Sequence, residues 1–159
     1  MHGISPVPRE ARPFQGQKAG LVTRLVANTV DALTISVLLL ALHLGINALM
    51  FLVSPRNYEF MTASVLVSVT TALLAMVLYM TAAWSITGRT YGDHVMGLRV
   101  VGRRGDRVWP PAALVRAALC VGFPIGLLWC GVSASRRSVQ DVVLRTSVIY
   151  DWRPRRARR

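Results

Sequence analysis

"TRLVANTVDALTI", residues 23–35, opens the longest apolar run of the chain and places both signs of charge at its start. If the stretch is helical, Arg24, Asn28 and Asp31 fall at i, i+4 and i+7 and share one face. Asp31 then lies roughly 10 Å beyond Arg24, at 1.5 Å of rise per residue. A carboxylate inside a bilayer costs about 2.5–3.5 kcal/mol, so this stripe has to face a partner or water. Two readings stand. Asp31 pairs with an arginine and fixes helix packing, or it is a proton or cation site.

Composition sets the surroundings. Of 159 residues, 53% are hydrophobic and only 16% charged, against about 45–50% and 25% in ordinary soluble domains. Three apolar stretches emerge, at about 21–53, 63–84 and 112–134. Each is long enough for a spanning helix, which needs roughly 20 apolar residues. The expected fold is an all-α integral membrane protein with two to three transmembrane helices. Residues 1–20 are expected to form a disordered basic arm without the apolar core of a signal peptide. Residues 21–150 read as the membrane domain and 151–159 as a basic tail.

The net charge is +12, carried by 18 arginines and one lysine, Lys18. Basic residues gather in the N-terminal arm, in the second linker and after the third stretch, while the first linker holds only Arg56 and Glu59. The positive-inside bias puts the N-terminus and second linker in the cytoplasm. The eight arginines from Arg136 to Arg159 belong there too, yet three full spans place them outside. Pro124 interrupts the third stretch and removes a helix hydrogen bond. That segment is therefore either re-entrant, bringing the tail back inside, or an ordinary kinked span. The basic tail suits anionic lipid headgroups and gives no specific nucleic-acid signal beyond general electrostatics.

Other residues are less directive. Ser64, Ser68 and Thr71 repeat the i, i+4, i+7 spacing and read as a packing ridge supporting the polar stripe. His43 and Asn47 pair at i, i+4 near the far end of the first helix. Arg116, one turn into the third stretch, is expected to snorkel toward headgroups. Asp141 has two candidate partners, the neighbouring Arg145 or the distant Arg24. Cys120 and Cys130 read as packing thiols. "HVMGLRVV", "GRRGDR" and "VWPP" suggest two short strands around a turn, a cytoplasmic hairpin-like loop. With no nucleophile triad, metal cluster or phosphate loop, the chain is not expected to be an enzyme, to bind a metal or to need a cofactor.

These residues together resemble the RDD family, named for an arginine and two aspartates. The arginine and first aspartate are Arg24 and Asp31, and the second is Asp141 in "SVQDVVLRTSVI". "TGRTYGDHVMGLRVV" is similar to the family's glycine-rich linker, with Gly88, Thr90, Gly92 and Gly97 at the motif positions. One departure stands out: Asp93 and His94 follow Gly92, where the family often has a basic residue. The resemblance implies a multi-pass protein of the bacterial inner membrane. It also implies an activity of the transport or cation/proton exchange kind, with Arg24, Asp31 and Asp141 at the site. Two or three helices enclose no path alone, so this requires a homo-oligomer or a membrane partner subunit. The alternative is a non-transporting accessory or assembly protein whose charged triad is structural.

Overall fold

The computed structural model describes residues 15–102, 106–132 and 138–152. Most of the N-terminal arm, the basic tail beyond residue 152 and Arg103, Arg104, Arg136 and Arg137 lie outside the described residues. Two long helices dominate, α1 (Leu21–Val53) and α2 (Val65–Ile86). Both are long and apolar enough to cross a membrane. At 1.5 Å per residue α1 extends about 50 Å, well beyond a bilayer core of about 30 Å.

The excess length has a use. Buried positions on α1 cluster at Arg24, Ala27, Asp31 and Ile35, with only Asn47 beyond them. On α2 they are Met80 and Trp84, at its C-terminal end. The remaining lengths of both helices expose leucines and valines such as Leu38, Leu42, Leu66 and Leu74. One end of the helical pair is thus packed into protein, while the other presents an apolar surface suited to lipid.

The packed end is built by short elements: α3 (Tyr91–Val95), β1 (Leu98–Val101), α4 (Pro110–Gly122), α5 (Trp129–Val132), α6 (Val139–Val143) and β2 (Ser147–Tyr150). Strands β1 and β2 pair antiparallel, with Leu98 opposite Tyr150 and Val100 opposite Val148. This corrects the expected local hairpin: β1 finds its partner across the sequence, and residues 107–109 form no strand. The alternation in "TSVIY" buries Val148 against the core, which Val108 joins. The fold is mostly helical with a small two-stranded sheet.

This pairing decides the path of the third apolar stretch. The chain leaves the sheet after β1 and returns to it at β2, on either side of that stretch. The stretch is not one helix. Helix α4 ends at Gly122, a 3-10 turn spans Pro124–Leu127, and α5 is a single turn. The proline removes the hydrogen bond that a continuous helix needs. The Gln140 side chain braces the break, donating Nε2 to Phe123 O at 3.0 Å and Leu119 O at 3.4 Å.

Residues 15–20, expected within a disordered arm, lie along the other edge of β2. Ala19 N donates to Val148 O at 2.9 Å and Tyr150 N to Gln17 O at 2.9 Å. The start of α1, the end of α2 and the segment entering the tail all meet at this sheet.

Two parts of this end repeat each other. In α3 the Thr90 side chain and the Asp93 carboxylate form a reciprocal capping box, and in α6 Ser138 and Asp141 do the same. A left-handed residue follows each short helix, Gly97 at φ +65° and Arg145 at φ +52°. A strand comes next. Val100 and Val148, equivalent in the two units, are direct ladder partners, so the units meet about a local twofold axis.

Candidate functional site

The three family residues do not form one cluster but two buried nodes. The first is Asp31, with no exposed surface. Its Oδ2 accepts from Thr90 Oγ1 at 2.6 Å, and its Oδ1 from Gly92 N at 2.7 Å and Tyr79 Oη at 3.0 Å. Tyr79 Oη in turn accepts from Tyr91 N at 2.7 Å. These donors to Asp31, all among the described residues, are neutral. The partner of this carboxylate is the N-terminal end of α3, whose amides and cap hydroxyl offer fixed donors.

The glycine-rich linker makes this approach possible. A Cβ on Gly92 would overlap the Ala27 carbonyl oxygen and lie 2.9 Å from Asp31 Oδ2. Only glycine lets α3 come this close to α1. The sequence motif is therefore a docking surface for Asp31.

The second node is Asp141, also fully buried. Arg24 pairs with its Oδ2 and Arg116 with its Oδ1. Thr146 Oγ1 donates to Oδ1 at 3.3 Å and Ser138 N to Oδ2 at 3.4 Å. Burial alone would push this carboxyl up, but the Arg116 and Arg24 guanidiniums outweigh it and hold it down at about 2. Of the two candidate partners, Arg24 is the one that pairs. Arg145 is exposed and occupies the left-handed position after α6. The expected snorkelling of Arg116 is also corrected, because it is only 3% exposed.

Asp93 and Trp84 connect the nodes. Asp93 Oδ2 accepts from Trp84 Nε1 at 2.9 Å and from Thr90 N at 3.2 Å. The Arg116 guanidinium lies 4.9 Å from the centre of the Trp84 ring, a cation–π contact. A continuous line runs from Asp31 through Thr90, Asp93, Trp84 and Arg116 to Asp141. Sequence reasoning missed Tyr79, Trp84 and the role of Asp93. Arg116 had a usable signal: it shares a helical face with Ala113, Ala117 and Cys120, the buried face of α4.

The remaining candidates lie elsewhere. Asn28, half-buried, borders the space between the nodes. Ser64 caps α2, accepting from Val67 N at 3.3 Å. Ser68 and Thr71 are exposed and, with His43 and Phe60, border an open groove of about 500 Å³ between the outer parts of α1 and α2. The expected packing ridge thus supports neither node. Asn47 instead organises the far loop, accepting from Tyr58 Oη at 3.0 Å and Met61 N at 2.8 Å. Gly88 and Gly97 take positive φ, and a Cβ on Gly97 would lie 2.5 Å from the Trp152 ring. Among the described residues no group of three His, Cys, Asp or Glu side chains is placed to hold a metal ion.

No curated protein and no solved structure matches the chain. The RDD family matches residues 18–145, which take in Arg24, Asp31, the glycine-rich linker and Asp141. The chain belongs to the RDD family.

Proposed function

We propose that this chain is a membrane-embedded accessory or assembly protein of the bacterial inner membrane, in which the Arg–Asp–Asp triad is a structural latch. One observation carries the reading: all four carboxylate oxygens of Asp31 and Asp141 are occupied by protein donors, with no exposed surface on either residue. A transported ion must reach its ligands and leave them. These carboxylates have no oxygen to offer without breaking α1 away from α3 or α6. Residues 15–20 and 147–152, which lead to the basic arm and tail, also meet at one end of the molecule, and the positive-inside bias favours a cytoplasmic location for both, next to anionic headgroups.

The test compares abundance with flux. In this reading Asp31→Asn lowers the amount of folded protein in the membrane, and proteoliposomes of the parent show no cation-driven proton movement above lipid alone. A normally abundant Asp31→Asn protein that loses a flux shown by the parent contradicts it.

A second reading, transport by a homo-oligomer, is favoured by the groove between the outer parts of α1 and α2. Its walls carry His43, Thr62, Ser68 and Thr71 among leucines, polar groups that a second copy would enclose. It predicts a parent flux that falls in Ser68→Val and Thr71→Val proteins of normal abundance.

A further inference from the structure

Between the two nodes lies a cavity of about 20 Å³, bordered by Arg24, Asn28, Trp84, Asp93, Arg116 and Cys120. A water needs about 10–15 Å³ of such space and two to four polar partners, so the cavity has room for one. The walls supply the partners. The Arg116 side chain is 3% exposed, and among the described residues its Nε finds no acceptor. A buried guanidinium N–H without an acceptor is costly, and a single oxygen atom in this space removes the deficit.

Charge selects the occupant. Arg24 and Arg116 are opposed by Asp93 on the wall and by Asp141 behind the guanidiniums. Two positive and two negative groups balance, so neither a halide nor a cation gains net attraction here, whereas a dipolar molecule gains hydrogen bonds. We propose that the cavity is a binding site for one ordered water molecule, which accepts from Arg116 Nε and bridges it to Asn28 and the Asp93 carboxylate. This site gives Asn28 its place in the polar stripe, as the water partner on α1. It also ties α1 to α4 independently of Asp141. The inference goes beyond the latch reading and stands whether or not the protein moves ions.

The direct test is an experimental structure at a resolution that shows ordered water, obtained with the full chain in chloride and again in bromide. A single peak within hydrogen-bonding distance of Arg116 Nε and Asn28, without bromide anomalous signal, supports the site. Bromide signal there, no density, or a direct Arg116 Nε bond to protein overturns it. The Val148→Ile variant, which adds a methyl group to the cavity wall, gives a second reading. A dry void filled this way raises the unfolding midpoint, so a rise overturns the proposal.

Discussion

The α3–β1 unit and the α6–β2 unit are two versions of one design. Each opens with a hydroxyl–aspartate capping box, turns through a left-handed residue and enters a strand, and the strands pair across a local twofold axis. They treat their aspartates differently. Asp93 receives an indole N–H and a backbone amide, while Asp141 receives two guanidiniums. The same contrast separates Asp31, held by neutral donors, from Asp141, held by charge. Neutral donors on a rigid helix end position a carboxylate without importing a second charge. A buried ion pair adds attraction but depends on both partners. One family motif thus combines two kinds of fastening: a neutral cradle within α1–α3 and an ionic clamp joining α1, α4 and α6.

The strongest way to break this contrast is Asp141→Asn. It leaves two buried guanidiniums without their carboxylate, a loss of about 3–5 kcal/mol, so the protein should not accumulate in membranes or should unfold far below the parent. Normal abundance and an unchanged midpoint would remove the ionic clamp.

Protonation attacks the same interaction more gently. Asp141 titrates at about 2 in the folded chain against an ordinary value of 3.8. A depressed folded value means the stabilisation is fully present above the unfolded value and is lost as pH falls through the folded one. The unfolding midpoint should therefore drop between about pH 4 and pH 2, and this window should move upward in Arg24→Met, where one cation is gone. An acid profile identical in both proteins would contradict the assignment.

Asp31→Asn sharpens the neutral side of the comparison. One carboxylate oxygen becomes an NH2 group facing donors, with a cost of about 1–3 kcal/mol. Its midpoint should fall less than that of Asp141→Asn, as read by thermal unfolding of the two proteins in one detergent. The reverse order would mean that the cradle, not the clamp, dominates.

The smallest effect concerns the left-handed residue. Arg145 holds φ +52° where the equivalent residue is glycine, and an L-residue there costs about 1–2 kcal/mol, partly offset by glycine's extra entropy when unfolded. Arg145→Gly should raise the stability slightly, by less than about 1 kcal/mol. A clear fall would show that the Arg145 side chain has a role in the second unit.

Much of this was legible in the sequence, and what was not has a physical reason. The apolar lengths gave α1 and α2, and the charge count required the tail and Arg24 to share a side, which made the Arg24–Asp141 pair available. The partners of Asp31 were hidden because they are a backbone amide and two hydroxyls, groups without a charge signature. The glycine spacing of Gly88, Thr90 and Gly92 was visible, but only the closeness of Gly92 to the Ala27 carbonyl explains it. The strand pairing was hidden too: short strands suggest local hairpins, whereas β1 waits for a partner brought back by the broken stretch around Pro124.

Arg24 and Asp141 meet, which requires the N-terminal arm and the C-terminal tail to lie on one side of the membrane. The direct measurement is labelling by a membrane-impermeant maleimide in sealed vesicles of known orientation, with Cys120 and Cys130 replaced and single cysteines introduced as Arg9→Cys, Asn57→Cys and Arg155→Cys. Positions 9 and 155 should label from the same side and position 57 from the other. Labelling of position 155 together with position 57 would place the tail across the bilayer from Arg24 and contradict the Arg24–Asp141 pairing.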